Sequence, residues 1–349
     1  MSQDSAIRRV AAIDCGTNSI RLLVADVDPV HRTLTDLDRR LEIVRLGQGV
    51  DKTGRLAPEA LDRTLTALAE YARIIKARQA GDVRMVATSA TRDAANAADF
   101  TRGVLEVLGQ APEVLTGDEE AALSFAGATA EFSEGGMGRR AGPEPPASPY
   151  LVLDIGGGST EFVLGDTGIP GDTGAPGVGA GAHEVAAISM NIGCVRMTER
   201  HLQSDPPTPP EIAAATADID GALEQAAMAV DIEKARTLVG LAGSVTTVAA
   251  IVLELPGYDA ARIHHARITA PQVRAVTSRL LAQTRAERAA IPSMHAGRVD
   301  VIGAGSLVLD RVMRRFGFTE VVVSEHDILD GIAWSMVPGV TSPGVTSPA

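Results

Sequence analysis

The chain has 349 residues, of which 45% are apolar and 22% charged, and a net charge of −12. That length predicts about two domains with room for buried cores, and the composition excludes a wholly disordered chain. The acidic balance excludes broad, nonspecific nucleic-acid binding, although a local arginine cluster can still grip a polyanion.

Two scattered cysteines, Cys15 and Cys194, do not make a disulfide framework and point to a reduced, cytoplasmic protein. The apolar stretch after Arg8-Arg9 ends at Asp14, too short for a signal-peptide core. The longest apolar stretch, 238–255, is interrupted by Ser244, Thr246, Thr247 and Glu254, so it reads as strand, turn and helix and no membrane partner is expected.

In chain order, strands are predicted at 10–14, 20–27 and 41–46. A helix follows at 58–79, where Leu61, Leu65, Leu68, Ala72 and Ile75 step by three and four and Pro58 suits the first turn. A strand at 83–87 leads to a helix at 93–108, stopped by Gly109. Residues 133–149 are rich in turn formers and read as a connection. The second half repeats the order: strands at 151–154, 160–164 and 184–189, a helix at 210–229, a strand at 236–241 and a helix from 245. Residues 165–181 read as a loop insertion and 339–348 as a disordered tail, because neither can bury enough apolar surface to offset chain entropy. Placing Asp14 on Asp154 without gaps superimposes Gly16 on Gly156, Ser19 on Ser159 and Asp26 on Asp166, so the two halves read as a duplication.

Each half carries Asp-x-Gly-x-x-Ser between two strands, and the second loop is Asp154-Ile155-Gly156-Gly157-Gly158-Ser159. Glycines let backbone N–H groups approach and converge on a ligand, and a hydroxyl completes an anion cradle. An aspartate at the strand end would repel phosphate unless a cation lies between them, and Mg²⁺ suits one or two carboxylates plus phosphate oxygens. A Walker loop or a dinucleotide fingerprint leads from strand into helix, whereas here strand leads into strand. A plain hairpin turn is the alternative, weakened by the match between the loops. Ala242-Gly243-Ser244, before the predicted helix, suits either anion binding at a helix start or simple capping. Gly303-Ala304-Gly305-Ser306 reads as packing.

Thr116-Gly117-Asp118-Glu119-Glu120-Ala121 opens a helix in which Thr116 and Glu119 form a capping box. Glu120 is then the spare carboxylate, free either to deprotonate a water or to complement the helix dipole. Arg92 follows a strand end, where a planar guanidinium can clamp a phosphoryl group or face solvent.

Ile13 to Ser19, Thr88 to Asn96, Gly117 to Ala121, Leu153 to Glu161, Asn191 to Arg196 and Ala242 to Ser244 together resemble the exopolyphosphatase and guanosine pentaphosphate phosphatase family. The resemblance implies an α/β fold of two ribonuclease H-like lobes, of the superfamily of actin, hexokinase and the heat-shock ATPases, with the active site in the interdomain cleft. It implies a first lobe at 1–131 completed by a C-terminal helix at 325–336, a linker at 132–149, a second lobe at 150–324 with an insertion at 165–183, and a tail at 337–349. By the same resemblance Glu120 is the catalytic base beside Arg92. Thr17, Asn18, Ser19, Gly156, Gly157, Gly158, Ser159, Gly243 and Ser244 hold phosphate, and Asp14, Asp154 and Glu161 serve the metal. Mg²⁺ is the implied ion, with Mn²⁺ as a substitute and K⁺ as a monovalent companion. The implied substrates are inorganic polyphosphate or guanosine pentaphosphate, and the implied assembly is a homodimer.

The chain departs from the family near its end. Ser324-Glu325-His326-Asp327-Ile328-Leu329-Asp330-Gly331 stands where the family resembles Ser-Asp-Gly-Ala-Leu-Arg-Glu-Gly, so Leu329 replaces an arginine and His326 a glycine. His326 is expected to be structural, and His264-His265 a surface pair. Longer members carry further C-terminal helical domains, so a preference for short polyphosphate is expected. An ATP-dependent kinase or filament protein, and a polyphosphate- or alarmone-sensing module, are the competing classes.

Overall fold

The computed structural model describes residues 7–132, 146–166, 184–337 and 344–346. Most of 133–149, 165–181 and 339–348, read above as connections or tail, lies outside the described residues.

The first half of the chain forms β1 (Arg8–Cys15), β2 (Ser19–Asp28), β3 (Thr33–Ile43), α1 (Val50–Thr53), α2 (Pro58–Arg78), β4 (Asp82–Ala87), α3 (Ser89–Arg92), α4 (Ala97–Leu108), β5 (Glu113–Val114) and α5 (Gly117–Thr129). The second half forms β6 (Tyr150–Ile155), β7 (Thr160–Gly165), β8 (Glu184–Met190), α6 (Cys194–His201), α7 (Pro209–Ala229), β9 (Thr237–Leu241), α8 (Ala242–Val252), α9 (Ala260–Ile263), β10 (Arg267–Thr269), α10 (Ala270–Ala282), α11 (Arg285–Ala289), α12 (Ile302–Phe316), β11 (Glu320–Val323), α13 (Ile328–Ser335) and β12 (Gly344–Thr346). Two compact units result. The first takes Met1–Ser148, Gly165–Val185 and Asp327–Thr346, and the second takes Pro149–Leu164, Ala186–His326 and Ser347–Ala349. No described helix is long and apolar enough to cross a membrane.

The first sheet has the order β3-β2-β1-β4-β5, and the second contains β8-β7-β6-β9-β11, with β10 beyond β11. Both follow the ribonuclease H-like order 3-2-1-4-5, so the duplication extends from loops to topology. Side chains alternate across the first sheet. Ala11, Ile13 and Cys15 enter the core with α2 and α4, whereas Val10 and Ala12 enter the core with α5 and α13. By the same alternation Asp14 lies on the face covered by α13.

Four sequence expectations are corrected. The third strand is Thr33–Ile43, not 41–46. Its polar run Thr-Leu-Thr-Asp-Leu-Asp-Arg-Arg hid it, but an edge strand needs only one apolar neighbour and tolerates charge. The helix expected at 93–108 starts at Ala97, because Asn96 is spent pairing with both backbone groups of Leu56. The helix expected from 245 starts at Ala242, so the small residues 242–244 form its first turn. Gly344–Thr346 is extended strand rather than disordered tail, which suits its β-branched Val345.

Pro209–Ala229 opens on a capping box in which Glu211 accepts from the backbone N–H and hydroxyl of Thr208. It also accepts from the N–H and hydroxyl of Ser204. These bonds pull the Glu211 carboxyl from 4.5 down to about 2. A carboxylate whose folded pKa is depressed contributes stability above its unfolded pKa and loses it as pH falls toward the folded value. Glu211→Gln is therefore expected to lower the melting temperature at pH 7, with the gap from wild type closing between about pH 5 and pH 2. Melting curves by circular dichroism across that range provide the check.

Candidate active site

The parallel pairing of β1 with β4 and of β4 with β5 sets three carboxyl ends side by side, with Cys15 opposite Ala87 and Ala87 opposite Val114. Ligands in α/β sheets bind outside such ends. The residues that follow them are Gly16 to Ser19, Thr88 to Arg92 and Thr116 to Glu120, the three stretches singled out in the first half of the sequence. They are joined by contacts. The N–H of Thr88 donates to Cys15 O at 3.2 Å. The hydroxyls of Thr17 and Ser89 bond at 2.9 Å. Arg92 Nη1 donates to Leu115 O at 2.9 Å and to Glu120 Oε2 at 3.3 Å.

Thr116 and Glu119 make the expected capping box, with the Glu119 carboxyl held low chiefly by the Thr116 backbone N–H. Glu120 is thereby relieved of capping. It is buried apart from a small exposed part, and Arg92 holds one side of its carboxylate.

The first loop is tied from behind. Its Thr17 carbonyl accepts from Gly47 N–H at 2.8 Å, and its Asn18 carbonyl accepts from the N–H groups of Val44 and Arg45 at 3.1 and 2.9 Å. C=O and N–H of one trans peptide point in opposite directions, so holding the carbonyls turns the loop N–H groups the other way. The tying segment is tight: a Cβ on Gly47 would come within 2.3 Å of Thr17 Cγ2.

The second loop repeats the device. The carbonyls of Gly156, Gly157 and Gly158 accept from the N–H groups of Cys194, Val195 and Gly193 at 2.9, 2.8 and 3.2 Å. Arg196 Nε donates to Gly158 O at 2.8 Å. Among the described residues, the N–H groups of Thr17, Asn18, Gly157 and Gly158 donate to no backbone acceptor. The tying segments follow β3 and β8, the equivalent third strands of the two units.

Asp14 and Asp154 are both buried one residue before the ends of β1 and β6. Asp14 Oδ2 accepts from Arg21 Nε and Nη2 at 3.0 and 2.6 Å, while Oδ1 is buried and accepts no hydrogen bond. Burial pushes the Asp14 carboxyl up from its ordinary range, and Arg21 opposes that push. A buried carboxylate oxygen without a donor fits a divalent cation, whose bond to oxygen replaces the missing hydrogen bond. In the second unit Glu161 is almost fully buried, and its Oε1 accepts from the Ser189 hydroxyl at 2.8 Å.

Asp154 is opposite Leu241 on β9, so the start of α8 lies beside the second loop's strand. Ala242 has φ 63°, a left-handed conformation that costs a residue with a Cβ roughly 1–2 kcal/mol. The Ser244 hydroxyl faces Cys194 and Gly305: a Cβ on Gly305 would meet it at 2.2 Å. Gly305 and its neighbours thus serve packing, inside α12. Gly243 lies under the Arg298 guanidinium, 2.4 Å from where its Cβ would stand, and Arg298 Nη1 bonds Thr247 Oγ1 at 2.8 Å. Sequence reasoning missed Arg298, because a lone arginine in a short 3-10 turn 55 residues downstream of Gly243 carries no local signal.

His326 tilts onto His264 with centroids 4.7 Å apart, and its N–H donates to Ser324 Oγ. His264 and His265 stack at 3.7 Å. Leu329 is buried in the core with α13, where an arginine would be costly.

Two ribonuclease H-like units, each with an acidic strand end and a carbonyl-tied loop, define an α/β protein with a duplicated architecture. The model of the Ppx/GppA phosphatase family matches residues 23–339, and the chain belongs to that family. Exopolyphosphatase 2 of Mycobacterium tuberculosis is 48% identical over 343 residues, covering 95% of this chain and 99% of that protein. The guanosine-5'-triphosphate,3'-diphosphate pyrophosphatase of Aeromonas salmonicida is 27% identical, covering 94% of this chain and 59% of that protein. Among solved structures, an exopolyphosphatase-like protein has a TM-score of 0.83 at 42% identity, covering 94% of this chain and 97% of the other. The Aquifex aeolicus PPX-GPPA enzyme has a TM-score of 0.72 at 29% identity, covering 94% and 99%.

Proposed function

We propose that this protein is a metal-dependent exopolyphosphatase that releases terminal phosphate from inorganic polyphosphate. The observation that carries the reading is the pair of loops whose carbonyls are tied back and whose N–H groups are turned outward beside buried aspartates. The Mycobacterium tuberculosis relative, similar over nearly its whole length, supports polyphosphate as the substrate.

In this reading the loop N–H groups of Asn18, Gly157 and Gly158, with Thr17, Ser19 and Ser159, bind phosphate oxygens. Gly243 and the start of α8 add a further anion contact, whereas Ser244 acts by positioning that turn. Glu120 accepts a proton from the attacking water, and Arg92 both orients Glu120 and clamps a phosphoryl oxygen. Asp14 is the carboxylate that the first unit offers to a divalent ion such as Mg²⁺, and Asp154 and Glu161 are those that the second unit offers. When bound, that ion neutralises charge on the phosphoryl oxygens. Catalysis is then positioning and charge neutralisation, with no covalent enzyme intermediate.

Guanosine pentaphosphate is the second reading, favoured by the more distant pyrophosphatase relative. Initial rates of phosphate release with Mg²⁺ on short polyphosphate, long polyphosphate, guanosine pentaphosphate and ATP decide between them. The highest kcat/KM is expected on polyphosphate. A higher value on guanosine pentaphosphate reverses the order of the two readings, and hydrolysis of ATP alone overturns both.

A further inference from the structure

We propose that Asp327, near the end of the described chain, is a positioning residue for the Asp14 carboxylate and acts through Arg21. The inference rests on the reading of Asp14 as a ligand of a divalent ion.

The geometry follows from strand alternation. Asp14 and Arg21 are direct partners across β1 and β2, and both lie on the sheet face that α13 covers. Arg39 on β3 is the partner of Leu23, which also faces α13. The first turn of α13 meets these arginines with two aspartates. Arg21 gives Nε and Nη2 to Asp14 Oδ2, and gives Nη1 to Asp327 Oδ2. Arg39 Nη2 donates to Asp330 Oδ1 at 2.6 Å, and Asp330 Oδ2 accepts from Asp327 N–H at 2.9 Å. Both ends of Asp327 are therefore fixed.

Asp327 does two separable things. Its Oδ1 caps α13 by accepting from Leu329 N–H at 3.0 Å, while its Oδ2 shares Arg21 with Asp14. Sharing matters to Asp14. One guanidinium divided between two buried carboxylates leaves the trio with one net negative charge, and Asp14 Oδ1 still accepts nothing. A guanidinium held by Asp14 alone would neutralise it fully and compete with a divalent cation. Asp327 also pulls Arg21 toward the helix, so that the arginine grips Oδ2 and leaves Oδ1 clear.

Asp327→Asn separates the two jobs. Asparagine caps helices as well as aspartate, but it carries no charge for Arg21. The experiment titrates Mn²⁺ into the metal-free full chain, followed by the loss of the free-ion electron paramagnetic resonance signal, for wild type, Asp327→Asn and Asp327→Ala. Melting of the metal-free proteins is recorded in parallel. For Asp327→Asn we expect Mn²⁺ affinity to fall by roughly 10- to 100-fold, the range for groups that orient metal ligands, with a melting temperature close to wild type. Asp327→Ala is expected to lose both affinity and stability. Wild-type affinity in Asp327→Asn overturns the proposal. So does a loss of stability in Asp327→Asn equal to that of Asp327→Ala: asparagine keeps the cap, so that result makes the contact with Arg21 a support of the fold rather than of the metal site. Polyphosphate hydrolysis by the wild type is measured separately: its absence sinks the functional reading, whereas a normal rate with unchanged Mn²⁺ binding in Asp327→Asn sinks only this one.

Discussion

Glu120→Gln is expected to bind polyphosphate as wild type does and to release phosphate roughly 10²- to 10⁴-fold more slowly, the usual contribution of a general base. The substitution keeps the shape of the side chain and an acceptor for Arg92 Nη1, so the contact at 3.3 Å and the local fold survive. Capping of α5 is untouched, because Thr116 and Glu119 perform it. The loss therefore belongs in kcat, with KM nearly unchanged. Steady-state phosphate release together with equilibrium binding of labelled polyphosphate separates the two parameters. Undiminished kcat would remove Glu120 from the chemistry and leave it as a dipole partner at the start of α5.

Gly331→Ala carries the largest expected effect on stability. Helices α5 and α13 cross at two glycines. A Cβ on Gly331 would stand 2.0 Å from the carbonyl oxygen of Leu123, and a Cβ on Gly127 would stand 1.9 Å from that of Asp327. Both obstacles are backbone, so no side chain can turn aside and the helices must separate. Overpacking typically costs about 1–3 kcal/mol, and a backbone clash belongs at or above the top of that range. Separation would also draw Asp327 and Asp330 away from Arg21 and Arg39. Gly221→Ala is the control. Among the described residues, nothing beyond its chain neighbours and its own helix backbone lies within 4 Å of its Cβ position in α7, and it is expected to stabilise by roughly 0.5–1 kcal/mol through helix propensity. Urea unfolding of the three proteins measures both effects, and equal stability of Gly331→Ala and wild type would refute the packing argument.

The two loops could be read from the sequence because their chemistry is local. Asp14 to Ser19 and Asp154 to Ser159 each hold acid, glycine and hydroxyl within six residues, and the strands around them alternate or run apolar. The capping box at Thr116 and Glu119 was readable for the same reason: a helix start is specified within one turn. The third strand was not readable, because Thr33–Ile43 is polar and owes its conformation to pairing with β2. The cysteine thiols follow the same division. Their number suggested a reduced protein, but only the fold shows both buried, with the Cys15 thiol pushed well up by that burial.

By itself, then, the sequence determined the duplicated order of elements, the two aspartate–glycine loops and the spare carboxylate at Glu120, since each is written in residues close enough to constrain one another. Tertiary structure decided how the loop carbonyls are held. Residues 44–47 and 193–196 tie the loop carbonyls from segments 26 to 39 residues away in sequence. It also decided which arginines meet the residues singled out in the sequence. Arg298 covers Gly243 from a distant 3-10 turn, and Arg21 is shared between Asp14 and an aspartate 306 residues beyond it in the chain. Such pairings depend on which sheet face a side chain occupies and which helix covers that face, and neither exists until the chain has folded.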